Sequence, residues 1–204
     1  MAKIIEFPGQ NRTKIGFKRV RAVKQTDLER HGQLNLFRQP RGQVVDLPRQ
    51  LTPFEEALLL DEHDDENASA AYHRAIDAGD CVAEAYCNLG IIESEAGKFT
   101  EAFDCFTLSL ANDPRHFESH YNLGNLYLDE GDFRLARLHY EICAVLEPDF
   151  PDTYFNLGLV LAMTREFDLA KDSILRYKAL VPEPERVKAD ELLASLKQSL
   201  TAQT

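Results

Sequence analysis

The sequence predicts an all-α protein, an α-solenoid built from stacked antiparallel helix pairs, with a basic arm before the first pair. The tripeptide Asn-Leu-Gly recurs with an unbroken spacing of 34 residues, beginning at Asn88, Asn122 and Asn156. Within each 34-residue unit, apolar residues recur at the three- and four-residue steps of a helix. A proline ends every unit, where a helix cannot continue. The pattern therefore predicts one helix pair per unit.

The repeated small residues explain how two helices of a unit pack together. Twelve residues after each repeated glycine comes an alanine, and such small side chains let antiparallel helices approach closely. Gly97 and Gly131 fall between the two helical runs, where a left-handed backbone is useful. The third unit has Arg165 at that place. We therefore expect its turn to be looser or differently built.

This pattern resembles the tetratricopeptide repeat (TPR) family, whose helix–turn–helix unit carries Leu-Gly, then Ala, then Pro in this order. The resemblance covers three consecutive units, residues 83–116, 117–150 and 151–184. It implies a right-handed superhelix and a concave groove, lined by the first helix of each pair, that binds peptides. Such a protein is a non-catalytic interaction module, a scaffold or adaptor.

Residues 1–50 form a basic N-terminal arm that lacks the repeat. The arm carries 11 Lys and Arg against 4 Asp and Glu, a net charge of +7, whereas residues 51–204 carry a net charge of −18. These opposite charges suggest that the arm occupies the groove of its own chain or of a neighbouring copy. The arm is predicted to be largely irregular, with a short helix beginning at Thr26–Glu29. Nucleic acid is a less favoured partner because the acidic body opposes it.

A short motif in the arm suggests an alternative function. Gln33-Leu34-Asn35-Leu36-Phe37 resembles the pentapeptide by which bacterial replication and repair proteins dock on the sliding clamp. The resemblance implies that Gln33 is held by hydrogen bonds while Leu34, Leu36 and Phe37 fill an apolar pocket. The chain would then be a DNA-maintenance accessory. Alternatively, these apolar side chains fold back onto the body.

Two elements flank the three clear units. Residues 51–82 are predicted to be a degenerate first repeat, opened by the capping pattern Thr52-Pro53-Phe54-Glu55 and closed near Gly79. Residues 185–204 are predicted to be a capping helix and tail, because apolar residues form one stripe along Glu185–Leu200. The body would then contain about nine helices.

The resemblance carries a set of groove positions onto the first helix of each unit. Asn88, Asn122 and Asn156 would form a ladder, since an Asn amide can pair with both backbone groups of an extended peptide. Tyr121, Phe155 and Met163 would add apolar area, and Glu84, Glu118 and Asp152 an acidic edge that favours a basic or neutral peptide. The ladder and the acidic edge are also ordinary features of generic repeats. The remaining groove positions are Cys87, Ile91, Glu95, Asn125, Asp129 and Leu159.

The sequence favours no enzyme. Gly-rich phosphate loops and nucleophile elbows are absent, and His116 and His120 lack a third metal ligand, so packing roles, no metal and no cofactor are expected. An enzyme subunit whose chemistry lies on a partner is a further alternative. The Asp61–Glu66 run lacks the calcium-loop pattern and is predicted to be a solvated turn. Four cysteines without Cys-x-x-Cys spacing, and no apolar stretch of membrane length, indicate reduced thiols and a cytoplasmic location.

Overall fold

The computed structural model describes residues 16–20 and 51–201. This part of the chain contains nine α-helices and no β-strand, which confirms the predicted all-α class. None of the helices described is long and apolar enough to cross a membrane. The helices are α1 Pro53–Glu62, α2 Ala68–Asp77, α3 Val82–Glu95, α4 Phe99–Asn112, α5 Phe117–Glu130, α6 Phe133–Leu146, α7 Pro151–Met163, α8 Phe167–Leu180 and α9 Glu183–Thr201.

The helices pack in successive pairs. Helices α1 and α2, α3 and α4, α5 and α6, and α7 and α8 form four pairs, and α9 packs on α8. The second helix of each pair contacts the first helix of the next, and the first helices α3, α5 and α7 also contact one another in that order. Each pair therefore covers the apolar surface that its neighbour leaves open, as in a solenoid.

The first helix of the stack, α1, and the last, α9, each begin at a signal that is visible in the local sequence. Thr52 caps α1: its hydroxyl accepts a hydrogen bond from Glu55 N at 3.2 Å, and the Glu55 carboxylate accepts one from Thr52 N at 3.0 Å. Helix α9 begins at Glu183, two residues before the predicted Glu185. Pro184 fits inside its first turn because the amide hydrogen that proline lacks has no partner there.

The repeated glycines lie where the helices of a pair meet. A Cβ atom built on Gly90 would lie 2.8 Å from the Phe106 ring, and one on Gly124 would lie 2.7 Å from the Tyr140 ring. Real Cβ atoms do not approach so closely. The glycine therefore makes room for the large side chain four residues beyond the repeated alanine.

The expectation of a different third turn is wrong. Arg165 has φ +63°, close to the φ of +80° at Gly131, so both residues adopt the left-handed conformation. Arg165 N donates to Ala162 O at 3.1 Å, and Gly131 N donates to Leu128 O at 3.2 Å. The packing of α7 against α8 keeps the common turn even though a side chain makes that conformation unfavourable by about 1–2 kcal/mol.

Two clusters of buried side chains form the core. One contains Tyr72 and Phe106, and the other contains Tyr121 and Tyr140. Val20, which lies outside the repeats in sequence, belongs to the first cluster and is 6% exposed. Residues 16–20 are therefore packed on the helical body.

Candidate peptide-binding groove

Residues 16–20 cross the surface of α3 and α5, which we call the groove, and have no helix or strand of their own. Val20 N donates to Asn88 Oδ1 at 2.9 Å, and Asn88 Nδ2 donates to Val20 O at 2.9 Å. Lys18 and Asn122 repeat the arrangement: Lys18 N donates to Asn122 Oδ1 at 2.8 Å, and Asn122 Nδ2 donates to Lys18 O at 3.1 Å. Each side-chain amide thus makes the two backbone hydrogen bonds that a neighbouring strand would make to an extended chain in a sheet.

The two contacts define a direction and a step. Lys18 lies at the amide of the second clear repeat and Val20 at that of the first, so the segment runs against the order of the repeats. One repeat corresponds to two residues of bound chain, roughly 6.6 Å of extended backbone. Because the amides bond to the backbone atoms of the segment and to none of its side chains, they position it without selecting its side chains.

Neighbouring groups hold the Asn88 amide in place. Asn88 Nδ2 also donates to Tyr72 Oη at 3.0 Å, and Tyr72 in turn donates to an Asp61 carboxylate oxygen at 3.0 Å. Burial, reinforced by the charge of Asp61, raises the pKa of Tyr72, so its hydroxyl remains a neutral donor. These hydrogen bonds hold the side-chain amide of Asn88 in the orientation in which it bonds to Val20.

The side chains of the segment occupy different surroundings. The Arg19 guanidinium forms ion pairs with Asp61 and, at 2.6 Å, with Glu95. The Phe17 ring stacks on Phe106 with centroids 6.3 Å apart. The Lys18 ammonium lies over the rings of Phe117 and Phe150 and 3.8 Å from Glu118 Oε1. The groove therefore faces the two cations with three carboxylates.

Four predicted groove residues, Asn88, Asn122, Glu95 and Glu118, contact the segment. Cys87 lies beside them, with its sulfur 3.5 Å from Asn122 Nδ2. Burial raises the pKa of the Cys87 thiol to about 12 and that of Cys105 to about 11, so both remain protonated. This matches packing roles rather than nucleophilic ones.

The predicted third rung lies in a polar network beneath the surface. Asn156 Nδ2 donates to Tyr121 Oη at 3.0 Å and to Asn125 Oδ1 at 3.0 Å. Tyr140 Oη also donates to Asn125 Oδ1, at 2.6 Å. Tyr121, Asn125 and Asn156 are all fully buried, so these groups fix the helices around the groove. A contact of Asn156 with a bound peptide remains a prediction.

The other predicted positions are distributed over the same helices at different depths. Ile91 and Phe155 are buried, Glu84, Asp152 and Leu159 are half-buried, and Asp129 and Met163 are exposed. Burial raises the pKa of Asp152, an effect that the nearby Glu185 reinforces and Lys18 opposes. A peptide longer than residues 16–20 would be needed to contact those on α7.

Asp61, Phe106, Phe117 and Phe150 contact the segment but were not among the predicted groove residues. Asp61 does not lie in a solvated turn: it belongs to the last turn of α1 and holds Arg19 and Tyr72. Phe117 and Phe150 stand at junctions between repeats and do not recur with the 34-residue period, so periodicity had no signal for them. The available hint was that Phe117 follows Pro114 by three residues and Phe150 follows Pro148 by two.

His116 and His120 have separate structural contacts and do not face a common site. His116 caps α5, its Nδ1 accepting a hydrogen bond from Ser119 N at 3.2 Å. His120 instead pairs with His139, Nδ1 to Nδ1 at 3.0 Å. Among the residues described, no group of three or more potential ligands could hold a metal ion.

Some predictions concern residues outside those described. The motif Gln33–Phe37, the helix proposed at Thr26–Glu29 and the remainder of the arm other than residues 16–20 belong to this class. Docking on a sliding clamp therefore stays a prediction.

Comparisons with known proteins agree with the helix pairs. Tetratricopeptide repeat models match residues 83–116 and 105–137. Mouse tetratricopeptide repeat protein 8 is 30% identical over 144 residues, 71% of this chain and 25% of the mouse protein. The chain thus spans about a quarter of the length of the curated relatives it matches.

Two similar solved structures contain bound peptides. The first TPR of Spaghetti (RPAP3), bound to the HSP90 peptide SRMEEVD, has a TM-score of 0.54 at 24% identity and covers 58% of this chain and 93% of that one. The Yersinia enterocolitica type III secretion chaperone SycD, in complex with a peptide of the translocator YopD, has a TM-score of 0.53 at 21% identity and covers 57% and 92%. The repeat-model matches, together with the stacked helix pairs, identify this chain as a tetratricopeptide repeat protein.

Proposed function

We propose that this chain is a non-catalytic interaction module whose groove binds an extended basic peptide through the amides of Asn88 and Asn122. The observation that carries the proposal is the pair of two-way hydrogen bonds to Lys18 and Val20. They use backbone atoms, which every peptide has. The peptide-bound structures of similar fold support the general class of function. From the sequence alone, we propose a cytoplasmic location for the chain.

The charges of the groove favour a basic ligand. Asp61, Glu95 and Glu118 face the two cations of the segment. The body outside the arm carries a net charge of −18, which attracts cationic chains over a longer range and speeds their encounter. An acidic peptide such as SRMEEVD, which the RPAP3 repeat binds, would meet repulsion here. We therefore infer that the ligand carries at least two adjacent basic residues.

The arm acts as an internal ligand in this proposal. A segment tethered to the same chain has an effective concentration of the order of millimolar. An outside peptide must then displace residues 16–20 before it binds, so the chain would respond to partners that are abundant or bind more tightly. The same contacts, made with a neighbouring copy, would instead link chains together.

Peptide binding to the full-length chain tests the proposal. A variant with Lys18→Glu and Arg19→Glu, here called the double-glutamate variant, would place two more carboxylates against the three of the groove and release the segment. We expect it to bind a synthetic peptide of residues Lys14–Lys24 at least about tenfold more tightly than the wild type, measured by calorimetry. SRMEEVD should not bind.

Substitution of the ladder gives the decisive comparison. In the double-glutamate variant, Asn88→Ala or Asn122→Ala should weaken binding of the Lys14–Lys24 peptide by about tenfold or more, because a buried backbone group loses its partner. Asn112→Ala is the matched control: Asn112 is exposed on α4 and donates to Leu108 O at 2.8 Å. Equal affinity in all three would overturn the proposed function, as would failure of the peptide to bind the double-glutamate variant.

A further inference from the structure

The ammonium group of Lys18 lies between two aromatic rings and a carboxylate. Its Nζ is 4.4 Å from the centroid of the Phe117 ring and 4.1 Å from that of Phe150. Both distances fall within the roughly 6 Å over which a ring face attracts a cation. Glu118 Oε1 lies 3.8 Å from the same nitrogen. These three groups, which we call the cage, surround one point where a positive charge sits.

The rings of the cage are held by contacts of their own. Phe117 and Phe150 meet edge to face, with centroids 5.1 Å apart and an interplanar angle of 81°. The buried Tyr121 ring stacks on Phe117 at 6.2 Å and meets Phe150 at 90° and 5.5 Å. Phe150 is also the residue that precedes α7, where the backbone is extended. Since none of these contacts involves Lys18, the cage is preorganised for its occupant.

The carboxylate of the cage is shielded from water. The Glu118 side chain is 14% exposed and that of Lys18 is 31% exposed, so the attraction is less screened than at an open surface. Glu118 follows Phe117 in the first turn of α5, so the charge and the ring are adjacent. A neutral occupant would leave this half-buried carboxylate without its cation.

We propose that Phe117, Phe150 and Glu118 form a subsite that selects a lysine, methylated or not, in the bound peptide. This inference rests on the proposed function and adds side-chain specificity to a groove whose amides contact only backbone. The lysine enters at the residue paired with Asn122. The bound sequence is therefore lysine, then arginine at Asp61 and Glu95, then an aliphatic residue at Asn88.

Methylation separates this subsite from an ordinary ion pair. Ring faces attract a quaternary ammonium without needing hydrogen bonds, so trimethyl-lysine keeps the attraction of the cage. Glutamine and norleucine have no charge, and norleucine keeps the length of the apolar stem. A subsite that recognised only apolar volume would accept norleucine as readily as lysine.

A peptide series tests the inference without altering the fold. The double-glutamate variant is titrated with Lys14–Lys24 peptides that carry lysine, trimethyl-lysine, glutamine or norleucine at position 18. We expect trimethyl-lysine to bind within about threefold of lysine, and glutamine and norleucine to bind about tenfold or more weakly. Equal affinity for lysine, glutamine and norleucine would overturn the cage while the backbone ladder stands. Binding of no peptide would instead overturn the proposed function.

A protein variant supplies the second measurement. Phe150→Leu in the double-glutamate variant keeps apolar volume and removes one ring face, and should reduce the preference for lysine over norleucine to about threefold or less. Phe99→Leu is the control, since Phe99 is 51% exposed on α4. Circular dichroism would verify that both variants remain helical. An unchanged preference in Phe150→Leu would overturn the role of that ring.

Discussion

Asn88 and Asn122 stand 34 residues apart in the sequence and hold the backbones of two residues, Val20 and Lys18, that are separated by a single arginine. One 34-residue repeat of the stack therefore corresponds to two residues of the bound segment. Side chains on alternate residues then lie on the same side of the segment. Successive repeats of the stack therefore bind the backbone of every second residue of a peptide.

The ladder predicts protection of one backbone amide. In the wild type, the Val20 amide hydrogen should exchange slowly with solvent because it is bonded to Asn88 Oδ1 in a buried site. Asn88→Ala should accelerate its exchange by about tenfold or more and leave the α7 and α8 amides unchanged. Hydrogen exchange followed by nuclear magnetic resonance measures both. Fast exchange at Val20 in the wild type would contradict the packed segment.

The third turn predicts a stabilising substitution. Arg165→Gly should raise the free energy of unfolding by about 0.5–1 kcal/mol, because glycine removes the strain of the left-handed conformation but adds freedom to the unfolded chain. Urea denaturation would measure the change. Gly131→Ala is the reciprocal test, since open space surrounds Gly131 and only its φ of +80° opposes a side chain. It should lower the free energy by about 1 kcal/mol. Destabilisation by Arg165→Gly would refute the explanation.

The paired histidines predict a loss of stability in mild acid. His120 Nε2 donates to Pro114 O at 3.1 Å, so its Nδ1 accepts the hydrogen of His139 Nδ1. Burial lowers the pKa of both rings, and with the charge of His120 it lowers that of His139 to about 4. Because the folded pKa lies below the unfolded value, the unfolded chain binds protons first. Stability is full above about pH 6.5 and declines as the pH falls toward 4.

We expect a loss of about 1–2 kcal/mol between pH 7 and pH 5, a figure reduced for the partial exposure of His139. Urea denaturation at both pH values would measure it. His139→Gln should flatten the dependence, whereas His73→Gln, at an exposed position on α2, should leave it unchanged. An equally steep dependence in His139→Gln would exclude the pair as its source.

The occupied groove predicts a monomer. If the segment lies in the groove of its own chain, the wild type and the double-glutamate variant should have the same mass by sedimentation equilibrium at all concentrations. A wild type that gains mass with concentration, while the variant does not, would show that the segment binds a neighbouring copy.

The sequence by itself determined the all-α fold of stacked helix pairs, and its resemblance to the tetratricopeptide repeat family indicated the two amides. Asn88 and Asn122 belong to a pattern that repeats every 34 residues, and Thr52 caps α1 through a partner three residues away. Such signals are local or periodic, so they can be recognised along the chain. The resemblance to the tetratricopeptide repeat family placed Glu95 and Glu118 among the expected groove positions.

Only the tertiary structure decided what the groove holds and how its side chains are recognised. Lys18 and Phe150 are 132 positions apart and share no period, and Asp61 reaches Arg19 because α1 packs at the start of the stack. Arg165 adopts the turn of a glycine because the packed helices on either side require that conformation. Contacts between distant residues depend on how the helix pairs stack. Many weak apolar contacts together determine that stacking, and no short motif encodes them.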